Sequence, residues 1–159
     1  LNAISLLRQN GFEHYEVSNF AKPGRRCRHN LVYWHAQEYF AFGPGAARYV
    51  NGHRSTNCRS VVRWIRQWTR GLPCLEPEDL PDTHDRAREA VMLGLQLREG
   101  FLLDVFERQF GVALENLAGP ALKRSLDRGL TEITGNRLRL TDAGLLIADT
   151  VVSDFLVDD

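Results

Sequence analysis

The chain carries no net charge, because 20 Lys plus Arg offset 20 Asp plus Glu among its 159 residues. That balance disfavours a generic polyanion binder. No run approaches the roughly 20 apolar residues that a membrane span requires. Cysteine is scarce and odd in number (Cys27, Cys58 and Cys74), so a disulfide framework is not expected and a reducing, cytoplasmic setting is. Methionine occurs once, at Met92, and position 1 is Leu1. No charged region precedes a small-residue cleavage site, so no signal peptide is expected. Leu1 to Arg8 already reads as a helix, with Ile4 and Leu7 on one face and Asn10-Gly11 as its C-cap. A chain opening inside a helix is expected to be a segment of a longer protein. What is present is ordinary globular composition, 43% hydrophobic, enough for one compact domain or two small ones and against disorder.

Charge is distributed unevenly. Residues 1–75 hold 11 Lys/Arg against 3 Asp/Glu, a net of +8, and residues 76–159 hold 9 against 17, a net of −8. All three Trp and all four Tyr precede residue 70. Gly71 to Pro77 is punctuated by Gly and Pro, which reads as a linker and predicts domains 1–75 and 76–159. The basic, aromatic half is the expected ligand-facing part. Opposite charge also serves simply to dock two halves.

In the first half, Phe12 to Ser18 alternates as a strand does, after a helix and a Gly turn, which predicts the αβ step of a sheet with crossover connections. Ala21 to Arg26 is a Pro-Gly loop. Phe40 to Ala47 reads as a short strand entering a Gly-rich loop. Arg48-Tyr49-Val50, Asn51-Gly52 and His53 to Thr56 spell a hairpin with a type I′ turn. Ser60 to Arg70 is helical, with Val61, Trp64, Ile65 and Trp68 on one stripe.

In the second half, Asp82 or Thr83 caps a helix reaching about Arg98, faced by Ala87, Ala90, Val91, Gly94 and Leu95. Gly94 lets a neighbour approach closely. Leu102 to Phe110 is a shorter helix closed by Gly111. Pro120 suits a helical first turn, and Gly129 follows that helix. Two strands, Leu130–Thr134 and Arg137–Leu140, flank Gly135-Asn136. Thr141 caps a last helix with Ala143, Leu146, Ile147, Val151 and Phe155 on its stripe. Helices, a two-stranded ribbon and a helix predict a winged-helix-like domain. Such domains often bind DNA, and Lys123, Arg124 and Arg128 precede the ribbon, but the acidic balance argues against it.

The densest chemical cluster is Cys27-Arg28-His29-Asn30-Leu31-Val32-Tyr33-Trp34-His35. Structural zinc is disfavoured, because no second close pair of ligand types accompanies Cys27 and His29. A Cys27–His29 dyad lacks a nearby acid to orient its base. His29 as a haem ligand is a third reading, since neutral imidazole suits iron and Tyr33 and Trp34 suit a porphyrin face. A hydrogen-bonded structural histidine is the plain alternative. Gly43-Pro44-Gly45 offers backbone N–H groups to an anion, but Pro44 has none and no Lys-Ser/Thr pair follows, so a Walker loop is excluded. Close backbone approach explains these glycines better.

Taken in order, Gly11 to Gly24, the Cys27–Trp34 block, Tyr39 and Gly43-Pro44-Gly45-Ala46 resemble the oxygen-independent coproporphyrinogen III oxidase-like radical SAM proteins, on the HemW haem-chaperone branch. Glu89 to Gly100, Phe106, Phe110-Gly111, Gly129-Leu130 and Leu140 to Gly144 extend the resemblance over nearly the whole chain, to the C-terminal portion of that family. The resemblance implies an α/β or α+β fragment: the last strands of a partial radical SAM barrel, then the winged-helix-like tail. It implies haem contacts at His29, Asn30, Tyr33 and Trp34, with His29 as iron ligand, and an S-adenosylmethionine contact at Ala21. It implies a [4Fe–4S] cluster and S-adenosylmethionine in the intact protein, and client haem proteins as partners. The family's Cys-x3-Cys-x2-Cys loop is absent, since the three cysteines are separated by 31 and 16 positions, so this chain alone is expected to be catalytically silent. Ala47 stands where the family usually has histidine. The function implied is haem binding and delivery. The alternatives are oxidative decarboxylation of coproporphyrinogen III and, from another class, a nucleic-acid-binding module.

Overall fold

A computed structural model describes residues 2–77 and 81–157. Along the chain run α1 (Asn2–Gln9), β1 (Glu13–His14), β2 (Phe20–Ala21), α2 (Arg28–Trp34), β3 (Ala47–Val50), β4 (His53–Thr56) and α3 (Val61–Trp68). There follow α4 (Thr83–Gly94), β5 (Phe101–Leu102), α5 (Leu103–Phe110), α6 (Leu114–Asp127), β6 (Thr131–Thr134), β7 (Arg137–Leu140), α7 (Asp142–Leu145) and α8 (Ala148–Asp154). The expected opening helix is present, and Leu1 lies outside the described residues.

These elements form two compact units, Leu1–Ala36 with Asp82–Asp159, and Gln37–Pro81. The division therefore does not fall at 75. Gly71 to Pro77 belongs to the smaller unit, where Asn57 pairs with Leu75 and Cys58 is disulfide-bonded to Cys74. No disulfide framework was expected from an odd cysteine count. One pair forms nonetheless, because the Asn57–Leu75 pairing brings the next residues within 5.4 Å at Cα.

In the larger unit, the strand expected over Phe12–Ser18 shortens to β1, paired antiparallel with β2 in the register Glu13–Ala21. This is a local hairpin and not a crossover step. Tyr15 to Val17 turn instead to the segment after α4: Val17 N–H donates to Gln96 O at 2.8 Å and Arg98 N–H to Tyr15 O at 3.0 Å. That pairing is why α4 stops at Gly94, short of Arg98. Asp82 is the N-cap of α4 in a reciprocal box with Asp85.

Ala87 and Val91 on α4 and Leu95 just past its end are fully buried, and Phe106, Leu122 and Phe155 belong to the same core cluster. A three-stranded antiparallel sheet, ordered β5-β7-β6, completes the unit. Within β7, Leu138 and Leu140 are buried while Arg137 and Arg139 are only half-buried, as a period of two requires. α6 breaks at Ala118, and Pro120 then occupies the first turn of its second segment. The single last helix expected after Thr141 is two, because Ile147 leaves helical geometry at φ −132°. Leu146 and Ile147 consequently stay exposed and do not join the apolar stripe.

In the smaller unit, β3 and β4 pair as expected, in the register Tyr49–Arg54 and Val50–His53. Asn51 and Gly52 turn between them with φ of 53° and 73°, which a type I′ turn demands at both positions. Ser60 caps α3, accepting from Arg63 N–H at 3.3 Å. Phe40 to Ala47 does not form the strand expected there, β3 beginning only at Ala47.

Candidate haem-facing helix

α2 carries the motif. It is seven residues long, entered from an extended Cys27 that makes no side-chain cap. Residues four apart share a helical face, so the motif separates into two pairs, His29 with Tyr33 and Asn30 with Trp34.

The Asn30–Trp34 face turns inward. Both side chains donate to the carboxylate of Glu16, Asn30 Nδ2 to Oε1 at 3.4 Å and Trp34 Nε1 to Oε2. Asn19 Nδ2 adds a third donor on Oε1. Glu16 is only 1% exposed. A buried carboxylate is tolerable only with such donors, so Glu16 is the anchor of the motif. Sequence reading missed it. Within Phe12–Ser18 it looked like one more alternating position, and its two partners on α2 lie 14 and 18 residues away.

The His29–Tyr33 face turns outward. The two rings meet edge-on at 4.9 Å and 87°, with Tyr33 Oη 3.2 Å from His29 Nε2. The imidazole is exposed. The start of the helix is fixed from below by Tyr15, a buried residue whose hydroxyl accepts from Cys27 N–H at 3.3 Å. Burial pushes the Tyr15 phenol up.

Trp34 also lines a cavity of about 250 Å³ together with His35, Phe101, Phe106, Phe110 and Arg137. Ala21 is placed elsewhere, buried in the β1–β2 pair opposite Glu13. The Cys27 thiol is exposed. In the smaller unit, Gly45 N–H is taken by Cys58 O at 3.2 Å and Gly43 O by Asn57, so the glycine loop is built into its own framework. Among the described residues no three His, Cys, Asp or Glu side chains gather as a metal site.

With this geometry in view, residues 82–147 match the family model described as HemN C-terminal domain. Over that stretch the chain is similar to HemN C-terminal domains. The chain is 32% identical over 158 residues to "Heme chaperone HemW" of Lactococcus lactis, a match covering 98% of this chain and 41% of that protein. It is 36% identical over 151 residues to the protein of the same name from Mycobacterium tuberculosis, covering 92% and 35%. Among solved structures it superposes on coproporphyrinogen III oxidase (HemN) from Escherichia coli, a radical SAM enzyme, with a TM-score of 0.74 at 16% identity, over 97% of this chain and 39% of that one. The chain spans about two fifths of the length of the curated relatives it matches. The resemblance read from the motif and the tail is thereby borne out, as is a mixed helix-and-sheet fold matching the HemN C-terminal region. No barrel closes among the described residues.

Proposed function

We propose that this chain is the haem-facing C-terminal region of a haem chaperone, and that His29, with Tyr33 beside it, is the contact through which haem is held before delivery to client haem proteins. The observation that supports this reading is the division of labour on α2. Asn30 and Trp34 are spent on Glu16, and that anchoring leaves the His29 imidazole outside with the half-buried Tyr33 against it. An exposed imidazole offers a ring nitrogen lone pair to haem iron. The relatives' printed name, heme chaperone, agrees with that chemistry. Asn30 and Trp34, expected as haem contacts, act in this reading as positioning residues.

The cysteines do not fit an iron–sulfur cluster. Cys58 and Cys74 are bonded to each other and Cys27 stands alone. No radical step is assigned to this chain. Among the described residues no helix is long and apolar enough to cross a membrane.

The test is a haem titration of the chain followed at the Soret band. The band weakens strongly in His29→Ala and less in Tyr33→Phe. An unchanged spectrum in His29→Ala removes His29 as ligand and the reading with it.

A further inference from the structure

The apolar stripe of α3 lies largely in solvent: Val61, Ile65 and Trp68 are 56%, 50% and 69% exposed, while Trp64 is half-buried. Trp64 and Trp68 stack almost parallel, 8° apart with ring centres at 5.5 Å. Both indoles line a cavity of about 470 Å³ with Phe42, Leu72, Arg48 and Asn57. That volume lies within the range of small-molecule sites, roughly 300–1,000 Å³, and the mixture of aromatic walls with a few polar groups is what such sites share.

The walls are held in place. Asn57 Nδ2 donates to Gly43 O at 2.8 Å, fixing the loop that carries Phe42. Arg48 Nε donates to Ser55 Oγ at 2.6 Å, its direct partner across the β3–β4 ladder, which restrains the guanidinium. Cys74 lines the cavity and is tied to Cys58. Phe42 itself is 88% exposed, a large ring left in water. The unit, residues 37–81, holds six Arg against four acids, a net of +2. Flat aromatic faces, a restrained cation and a small positive excess together select a flat, conjugated, negatively charged ligand.

We infer that this tryptophan-lined pocket is a second binding site, for a planar conjugated ring bearing a carboxylate or phosphate. It shares no residue with the His29 motif and does not rest on the haem reading.

The experiment titrates the chain with metal-free protoporphyrin IX and, separately, with flavin mononucleotide, following the anisotropy of the probe. A ring without iron makes no use of an axial histidine. At least one probe binds saturably, and which one binds decides between carboxylate and phosphate. Phe42→Ala and Trp68→Ala, both at exposed positions, each weaken binding about tenfold. Arg48→Gln weakens the charged probe but leaves protoporphyrin dimethyl ester unaffected. His29→Ala binds as the parent does, so failure of the haem reading leaves this result standing. Binding that survives both aromatic substitutions overturns the inference, as does binding lost in His29→Ala. Binding of neither probe also overturns it, including the case in which a concentration-dependent dimer abolished by Trp68→Ala shows a second copy seated in the pocket.

Discussion

The indole of Trp34 donates to the carboxylate of Glu16, 18 positions earlier in the chain, and this bond decides which way the motif helix faces. Glu16→Gln keeps the volume but replaces one acceptor oxygen with an N–H that faces donors from Asn19, Asn30 and Trp34. Leaving buried donors in conflict costs about 3 kcal/mol. Calorimetry should therefore show a drop in Tm of about 6–12 °C. Near-UV circular dichroism should lose the Trp34 signal, and haem titration should show a weakened Soret band although His29 is intact. A variant with parental Tm and parental Soret band would show that Glu16 does not position the motif.

His14 provides a pH handle on the larger unit. Its ring stacks on Phe20 at 4.2 Å, Nε2–H donates to Val17 O at 3.2 Å, and the buried Nδ1 has no partner. Burial, opposed by the Val17 carbonyl and reinforced by Arg98 and Arg8, holds its pKa below the usual histidine value. The unfolded chain then binds the proton more readily, at about pH 6.5. The neutral ring's contribution is fully present above that pH and is lost as pH falls below it toward the folded value. The parent should lose Tm on acidification from pH 7 to 5 more steeply than His14→Gln. Parallel slopes in the two proteins would rule out this linkage.

The Cys58–Cys74 bond predicts a thiol count. Alkylation without reductant should modify Cys27 alone, and alkylation after reduction in denaturant should modify all three. Closing a loop of 16 positions stabilises by about 3 kcal/mol in the chain-entropy account. Dithiothreitol should therefore lower the Tm of the parent and leave Cys58→Ser/Cys74→Ser unmoved. Three reactive thiols in the untreated protein would contradict the pairing.

Where pattern and partner are both local, the sequence was readable. Asn51-Gly52 requires two positive φ values and has them, and the alternation of Arg137 to Leu140 matches one buried face of a sheet. The Asn-Gly turn and the capped helix at Asp82 carry their chemistry in adjacent residues. Periodicity on α3 identified a helix but not the side that would find a partner, and Val61, Ile65 and Trp68 remain outside. The motif showed the same limit. The family resemblance implied haem contacts at all four of its residues, yet only the long-range bonds to Glu16 separate Asn30 and Trp34 from His29 and Tyr33. An odd cysteine count likewise said nothing about which two sulfurs a strand pairing would bring together.

Gly94 was legible for a steric reason, and the reason can be tested. A Cβ at this position would sit 2.6 Å from Phe101 Cδ1 and 3.1 Å from its Cβ and Cγ. Two effects of Gly94→Ala therefore oppose each other. Alanine gains about 1 kcal/mol over glycine in a helix, and overpacking a core typically costs about 1–3 kcal/mol. Phe101 cannot move freely, because it pairs with Leu138 in the sheet and packs on Phe106 at 5.6 Å. The steric cost should win, so Gly94→Ala lowers Tm. Adding Phe101→Leu, which removes the clashing ring edge, should make the alanine less harmful than it is beside the phenylalanine. A double-mutant cycle reads this coupling directly. If Gly94→Ala costs the same with either residue at 101, the contact does not constrain the helix, and α4 does not meet the sheet as closely as Gly94 implies.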